Sequence, residues 1–253
     1  LALNVLVDQG DEVLVPVPAY PFYTAVLSQL GARAVYYRAD PARGWEPDLS
    51  HLRSLIGPKT RSLVVIDPNN PTGAVYQQET RLALLELADR HNFVLLSDEG
   101  YTELAYDGPV APIGVPNPDA PVISFASLSK AWLAPGWRAG WLATSAPGRL
   151  DAVLAAIKDL ADGRLCSNGP MQHAVTAALT GDRSHQELMR SELRTRAEIT
   201  TRRLNAIPGM SCVEPQAAFY AMPQVDLPPG RSDEEFVIEL LRATGLLCVY
   251  GSG

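Results

Sequence analysis

A lysine lies among small and hydroxyl-bearing residues in the segment 124–141, which reads SFASLSKAWLAPGWRAGW. Lys130 follows Ser127 and Ser129, and Arg138 comes shortly after it. Hydroxyl donors and a guanidinium fork match the oxygens of a phosphate group. A lysine amine beside such a pocket can condense with the aldehyde of a phosphorylated cofactor. The segment therefore predicts a cofactor that is held by its phosphate and by a covalent bond to Lys130.

Two other interpretations of this segment are open at the level of the residues. In the first, Lys130 is a solvated surface lysine between two strands. In the second, Ser127 and Lys130 form the Ser-x-x-Lys pair of penicillin-binding enzymes and serine β-lactamases. Those enzymes also carry a Lys-Thr-Gly triplet, and the nearest match is 59–61, which reads KTR and precedes the serine. The missing glycine and the reversed order disfavour the second interpretation.

Asp98 closes the apolar run 93–96 after a single serine. A carboxylate in such surroundings needs a partner to stay charged, because burial disfavours the ionised form. It is either a cap or turn residue, or it faces a pyridinium nitrogen and keeps that nitrogen protonated. The second role would make an attached aromatic ring an electron sink.

Three more side chains each have a structural and a functional interpretation. Asn70, within Asn-Asn-Pro-Thr-Gly, is typical of a turn, but its amide can also donate to a phenolate oxygen. Tyr101 is either a core residue or a second donor to the same oxygen. Tyr20, between Ala19 and Pro21, is either a core residue or a flat ring stacked on another aromatic ring.

Apolar runs alternate with amphipathic segments along the first two thirds of the chain, which is typical of an α/β fold with a mainly parallel sheet and helices on both faces. The predicted strands are 12–16, 32–38, 62–66, 93–96, 121–125 and 140–143, and the predicted helices are 22–30, 49–56, 77–91, 147–160 and 169–179. Ligands of such sheets bind beyond the carboxyl ends of the strands. Asn70, Asp98, Tyr101, Ser127 and Lys130 all follow strands, so we expect them at one edge.

The C-terminal part has a different pattern. It contains a long charged helix at 184–207, short strands at 210–214 and 219–223, a helix at 233–243 and a strand at 246–250. This order predicts a smaller α+β domain. We therefore predict a large cofactor-binding domain over 1–186 and part of a small domain over 187–253. The helical pattern at 1–6 has no cap before it and the chain stops on a turn, so both ends are expected to be truncated.

Composition disfavours several classes of protein. The 253 residues have a net charge of −7 and no basic cluster, which disfavours nucleic acid as a partner. No apolar run approaches the roughly 20 residues that span a bilayer. Cys166, Cys212 and Cys248 are scattered in apolar surroundings, which favours buried, reduced thiols in a cytoplasmic protein. The four histidines show no metal-ligand spacing, so no metal site is predicted.

The motifs at 68–73 (PNNPTG), 97–101 (SDEGY) and 127–141 (SLSK followed by GWRAGW) resemble the class I/II aminotransferases of the pyridoxal-phosphate fold type I group. The resemblance covers nearly the whole chain in the same order. It implies that Lys130 holds pyridoxal 5'-phosphate, that Asp98 faces its pyridine nitrogen, that Asn70 and Tyr101 donate to its ring oxygen, that Tyr20 stacks on its ring, and that Ser127, Ser129 and Arg138 bind its phosphate. Lys130, Asp98 and Tyr101 are then the catalytic residues.

The resemblance also implies an activity and partners. The enzyme would move an amino group between an amino acid and a 2-keto acid, with Lys130 transferring the proton of the substrate Cα, and it would be a homodimer. The segments 164–174, 209–213 and 67–76 are similar to bacterial alanine (glutamate–pyruvate) aminotransferases. The run 132–138 is equally similar to tyrosine aminotransferases. The sequence favours alanine or glutamate as the amino donor.

Departures from the family keep alternatives open. The family usually has Gly-Ala-Phe/Leu-Tyr where residues 217–220 read AAFY, so the edge of the active site is in question. The arginine that binds the substrate carboxylate in the family is expected beyond Gly253. The first alternative is another pyridoxal-phosphate reaction on the same fold, such as β-elimination or ring-forming chemistry. The second is a non-catalytic effector-binding module, like the aminotransferase-like half of some transcription regulators.

Overall fold

A seven-stranded sheet is the centre of the computed structural model, which describes residues 1–164 and 168–252. Its strands are β1 (Glu12–Val17), β2 (Arg33–Asp40), β3 (Glu46–Pro47), β4 (Thr60–Ile66), β5 (Val94–Asp98), β6 (Val122–Ser127) and β7 (Gly140–Thr144). The spatial order is β3-β2-β1-β4-β5-β6-β7. Five neighbouring strands pair in parallel, namely β2, β1, β4, β5 and β6. The edge strands β3 and β7 are antiparallel to their neighbours. The predicted, mainly parallel sheet is confirmed.

Helices cover both faces of this sheet, as predicted. They are α1 (Ala2–Leu6), α2 (Phe22–Leu30), α3 (Leu49–Leu55), α4 (Gln78–His91), α5 (Asp151–Gly163) and α6 (Gly169–Thr180). Successive side chains of β4 point to opposite faces of the sheet and so enter two different apolar layers. Val64 and Ile66 belong to the layer with α1, α2 and α5, and Leu63 and Val65 belong to the layer with α3 and α4. Each buried side chain of this size contributes about 1.5–3 kcal/mol, so a strand buried on both faces is held firmly.

Local signals end helix α2 and begin helix α3. Gly31 ends α2 in the left-handed conformation with φ +69°, which a glycine adopts without a steric penalty. Asp48 caps α3 because its carboxylate accepts the backbone N–H groups of Ser50 and His51. The two caps thus set where α2 ends before β2 and where α3 starts after β3.

The connection order of the sheet reverses beside β1. The chain passes from β1 to β2 on one side and later returns with β4 on the other side. At such a switch point the loops after the two strands diverge, and a crevice opens beyond their carboxyl ends. Tyr20 follows β1 and Asn70 follows β4, so the predicted site residues border this crevice.

The C-terminal part consists of the long helix α7 (Ser184–Asn205), a two-stranded antiparallel sheet of β8 (Met210–Cys212) and β9 (Pro223–Val225), and helix α8 (Asp233–Thr244). A capping box between Ser232 and Glu235 begins α8. The strands form a sheet of their own, separate from the seven-stranded one. The division into domains over 1–186 and 187–253 stays a prediction.

One predicted strand is displaced and another is wrong. Ala218 and Phe219 form a turn in which Ala218 has φ +60°, so the strand predicted at 219–223 begins only at Pro223, as β9. Residues 246–250 form no strand in the described part of the chain. Leu247 and Val249 are exposed there, so the apolar pattern does not correspond to burial.

The prediction of buried cysteines is correct for one thiol and wrong for another. Cys212 is buried at the end of β8, whereas Cys248 is exposed in the unpaired segment after α8. Cys166 lies outside the described residues. Within residues 1–164 and 168–252, none of the helices combines the length and apolar character needed to cross a bilayer.

Candidate active site

The carboxyl ends of four neighbouring strands bring the predicted site residues to one edge of the sheet. Asp98 ends β5 and pairs in register with Phe125 of β6. Ser127 ends β6 two residues later, and Lys130 follows in the next turn. Because β5 and β6 are parallel neighbours, Asp98 and Lys130 lie on the same side of the molecule. The charge of Lys130 acts on the Asp98 carboxylate across the crevice.

Asp98 is the acidic group of this crevice. Tyr23 donates its hydroxyl to Asp98 Oδ2 at 2.9 Å, and the backbone N–H of Gly100 donates to Oδ1 at 3.3 Å. Burial raises the pKa of Asp98, and these two hydrogen bonds and the charge of Lys130 lower it again. Burial is the larger effect, so the pKa of Asp98 stays raised, and a further cationic partner in the crevice would lower it.

Tyr23 is a site residue that the sequence reasoning missed. It lies in the first turn of α2, three residues after Tyr20, and it is buried. Burial and its hydrogen bond with Asp98 raise the pKa of Tyr23, so the hydroxyl keeps its proton and remains a donor. The only local signal is the three-residue spacing between Tyr20, which precedes α2, and Tyr23, which lies in the first turn of that helix.

The Lys130 amine has aromatic neighbours. Its Nζ lies 5.7 Å from the ring centroid of Tyr101 and 5.7 Å from that of Phe219. It forms no hydrogen bond or ion pair with the residues that the structure describes. An amine held between aromatic faces and a carboxylate is available for reaction with an electrophile.

Tyr101 is buried, and its hydroxyl is 2.6 Å from that of Tyr220. Burial and the hydrogen bond with Tyr220 raise the pKa of Tyr101 well above its usual value, so the group stays protonated at neutral pH. Tyr220 and Phe219 are also residues that the sequence reasoning did not assign to the site. They belong to the segment in which this chain departs from the family pattern.

The loop after β4 contains two asparagines, Asn69 and Asn70, which differ in their contacts. Asn69 is buried, and its Oδ1 accepts from the backbone N–H and the hydroxyl of Thr72, which stabilises the turn. The backbone of Asn69 also pairs with Ala74 and Gly73. The side chain of Asn70 has no hydrogen-bond partner among the described residues and is only partly buried. The turn therefore does not need the amide of Asn70, which is free to bind a ligand.

Tyr20 lies half-exposed at the mouth of the crevice. Its ring stacks on Phe22 at 6.2 Å with an interplanar angle of 23°. It is near enough to Tyr101 and Tyr23 to influence their ionisation. An exposed ring in this position can cover a planar ligand.

Ser127 and Ser129 lie together at the end of β6, since the N–H of Ser129 donates to Ser127 Oγ at 3.3 Å. Gly140 of β7 lies opposite Ser127, and a Cβ there would be 2.8 Å from the carbonyl oxygen of Ala126. The glycine thus permits the close approach of the two strands. Arg138 is exposed and donates to the carbonyl oxygen of Pro135 at 2.9 Å, within its own turn, instead of to the serines.

The chain matches a family model and several known proteins. The model of the family "Aminotransferase class I and II" matches residues 1–253. The alanine aminotransferase of Mycobacterium tuberculosis is 41% identical over 262 residues, which cover 100% of this chain and 60% of that protein. The glutamate-pyruvate aminotransferase AlaA of Escherichia coli is 38% identical over 264 residues, which cover 99% of this chain and 64% of that protein.

A solved structure is also similar. The alanine aminotransferase from Pyrococcus furiosus superposes with a TM-score of 0.92 at 38% identity, over 95% of this chain and 62% of that chain. This chain therefore spans between 60% and 64% of the length of the curated relatives named above.

Proposed function

Because this chain belongs to the class I and II aminotransferases, a family that depends on pyridoxal phosphate, we propose that its protein is a pyridoxal-phosphate-dependent aminotransferase. The fold described above is fold type I of that cofactor group. The proposed substrates are alanine or glutamate and a 2-keto acid such as pyruvate. Relatives that carry the names alanine aminotransferase and glutamate-pyruvate aminotransferase support this choice of substrates.

The residues of the crevice fit the proposed cofactor. Lys130 offers a primary amine without a partner in the described chain, which suits an aldehyde. Asp98 has a raised pKa that a protonated pyridine nitrogen would lower again. Asn70 and Tyr101 offer donors for a ring oxygen, and Tyr20 offers a flat surface for the ring. Ser127 and Ser129 offer hydroxyls for a phosphate. Arg138 would have to release the carbonyl oxygen of Pro135 to join them.

Each residue then has a role in the proposed reaction. The bound cofactor supplies an electron sink for the pair of electrons left when the substrate Cα loses its proton. Asp98 holds a proton on the pyridine nitrogen, and Tyr23 holds Asp98 in place through the 2.9 Å hydrogen bond. Once the substrate amine has replaced it on the cofactor, Lys130 Nζ would be free to take the proton from the substrate Cα as the general base. The rings of Phe219 and Tyr101 lie 5.7 Å from that amine, measured to their centroids, and border the place where it acts.

The proposal depends on the placement of Lys130 beside Asp98 and the ring of Tyr101. Replacement of Lys130 by Ala should abolish transamination and the visible absorbance of the covalently held cofactor, because no other amine is in position. A matched control is Lys158→Ala, which removes an exposed lysine of α5. Product analysis for 2-keto acids, with alanine, glutamate, tyrosine and aspartate as donors, measures the effect. Normal turnover by the Lys130→Ala variant would end the proposal.

The same screen separates the alternatives. A tyrosine donor that outperforms alanine and glutamate would favour an aromatic aminotransferase. Ammonia release in place of an amino-acid product would favour an eliminating enzyme. Cofactor binding without a keto-acid product from any donor would favour an effector-binding module. We further propose a homodimer and a cytoplasmic location, as the family resemblance and the unpaired thiols suggest.

A further inference from the structure

The hydroxyls of Tyr101 and Tyr220 form a hydrogen bond that has no function in the roles proposed above. They are 2.6 Å apart, and either oxygen can be the donor. A tyrosine hydroxyl has one proton and two lone pairs. If Tyr101 donated its proton to Tyr220, it would have none left for the ring oxygen of a cofactor. The direction of this hydrogen bond therefore decides whether Tyr101 can act as proposed.

Tyr220 is held in place by the segment that carries it. The carbonyl oxygen of Gly73 accepts the N–H groups of Gln216 and Ala217 at 2.8 and 3.0 Å. The N–H of Ala218 donates to Leu104 at 3.2 Å, and the Tyr106 hydroxyl donates to the carbonyl oxygen of Ala218 at 3.0 Å. These contacts attach the segment to the loop after β4 and to the chain that follows Tyr101. Tyr220 is thus fixed relative to both predicted donors to the ring oxygen.

The backbone at Ala218 aims the two aromatic rings at the crevice. Ala218 is fully buried and has φ +60°, a conformation that costs an alanine about 1 kcal/mol or more. After this residue the chain turns, so that Phe219 lies 5.5 Å and Tyr220 lies 5.6 Å from Tyr101, measured between ring centroids. Strain of this kind persists only where the surroundings hold it, and here it places both rings against Tyr101.

We propose that Tyr220 is a positioning residue, which donates its hydroxyl proton to the Tyr101 oxygen and so leaves the Tyr101 proton directed at the ring oxygen of the cofactor. This inference rests on the proposed function. It predicts that Tyr220 acts through Tyr101 and does not itself contact the cofactor. It also explains why the departure at residues 217–220 is compatible with the site, since Phe219 and Tyr220 still reach Tyr101.

The test uses the protein loaded with pyridoxal 5'-phosphate and follows its visible absorbance as a function of pH. A donor to the ring oxygen stabilises the deprotonated form of the bound chromophore most, because that oxygen then carries an unshared negative charge. Loss of the Tyr220 hydroxyl in Tyr220→Phe weakens the donation from Tyr101. The titration midpoint of the chromophore should therefore rise by about 0.5 to 1 pH unit, the equivalent of one neutral hydrogen bond.

A double-mutant cycle distinguishes positioning from direct contact. Tyr101→Phe should raise the midpoint at least as much as Tyr220→Phe. In the Tyr101→Phe background, the Tyr220→Phe substitution should add nothing, because the hydroxyl through which it acts is gone. A further rise in that background, or an unchanged midpoint in the single Tyr220→Phe variant, would overturn the inference.

The matched control is Tyr36→Phe, which removes a hydroxyl that pairs with Thr24 on the exposed side of β2. It should leave the midpoint unchanged, and a shift as large as that of Tyr220→Phe would overturn the inference. The same experiment tests the proposed function separately from this inference. If the unmodified protein develops no visible band with pyridoxal 5'-phosphate, the proposed function fails and this inference fails with it. If the band forms and only the Tyr220 shift is absent, the proposed function stands.

Discussion

At the scale of single residues, the Asp98 carboxylate shows how opposing effects set the charge of a site. Burial favours its neutral form, while the hydroxyl of Tyr23 and the charge of Lys130 favour its ionised form. Asp98 must be ionised to hold a proton on a pyridine nitrogen. The hydrogen bond from Tyr23 is therefore part of the proposed activity, although Tyr23 itself does not contact the reacting atoms.

The variant Tyr23→Phe tests this role. It removes a hydrogen bond that lowers the pKa of Asp98, so this pKa should rise and a smaller fraction of Asp98 should be ionised at low pH. The acidic limb of the kcat/KM profile should move to higher pH by up to about one unit. The loss of activity should be largest in acid and should shrink as the pH rises.

The pH profile of the enzyme, measured with its best amino donor, checks this prediction. Tyr36→Phe is again the matched control, since its hydroxyl pairs with the Thr24 side chain at the exposed surface and not with Asp98. An acidic limb that stays in place in Tyr23→Phe would show that this hydrogen bond does not set the charge of Asp98.

At the scale of elements, the loops after β4 and β5 are joined by the segment 215–220. Gly73 makes this possible, because its carbonyl oxygen accepts two N–H groups of the segment and its lack of a side chain admits Pro215. A buried ion pair also stabilises the loop after β4. Asp67 lies 2.9 Å from Arg81 of α4 and also accepts the N–H of Tyr76. Burial raises the pKa of Asp67 to about 6, against the opposing charge of Arg81.

Substitution of Gly73 by Ala should separate these elements. Gly73 has φ +71°, and a Cβ there would lie 2.4 Å from Pro215 Cβ and 2.9 Å from the carbonyl oxygen of Ala217. We expect the free energy of unfolding to fall by about 2 kcal/mol or more, and activity to fall about tenfold, because the loop and the segment must move apart. Denaturant unfolding and the transamination assay measure the two effects.

Gly44 supplies a matched control for the cost of placing an alanine at positive φ. It has φ +69°, and nothing lies within 4 Å of a Cβ at that position. Gly44→Ala should therefore cost only about 1 kcal/mol and leave activity unchanged. Equal effects of Gly73→Ala and Gly44→Ala would mean that the close approach of Pro215 has no energetic weight.

At the scale of the whole molecule, the C-terminal part is attached to the sheet beside the proposed active site. Arg183 forms an ion pair with Glu103 at 3.0 Å and lies over the ring of Trp132. Arg190 donates to the carbonyl oxygen of Glu103 at 3.0 Å. Glu103 is two residues from Tyr101. The start of α7 is thus attached to the chain that follows Tyr101.

The oligomeric state is a prediction at this scale. The proposed homodimer should have twice the mass of one subunit by light scattering, at concentrations near those of the activity assay. The physical reason is that the proposed catalytic crevice opens at the surface, where the exposed rings of Tyr20 and Phe22 are available for burial against a partner. A monomeric mass in an active preparation would contradict the proposed dimer.

Much of the fold could be predicted from local patterns. Six strands of the sheet, the helices on both faces and the caps at Gly31 and Asp48 follow from periodicity and from residues that act on their own neighbours in the chain, whereas the two-residue edge strand β3 was not predicted. Local patterns did not give the correct structure at 219–223 and 246–250, where strands were predicted. Their apolar residues fit a strand, but a left-handed backbone at Ala218 and the absence of a pairing partner for 246–250 within the described residues decided otherwise.

The sequence by itself determined which chemical groups are present and that they follow strands, because the carboxyl ends of parallel strands meet at one edge. It also carried the family motifs around Asn70, Asp98 and Lys130. Only the tertiary structure decided the partners of these groups. Tyr23 and Asp98 are 75 residues apart, and Tyr101 and Tyr220 are 119 residues apart. A hydrogen bond depends on distances below about 3.5 Å, and folding alone brings such distant residues within that range.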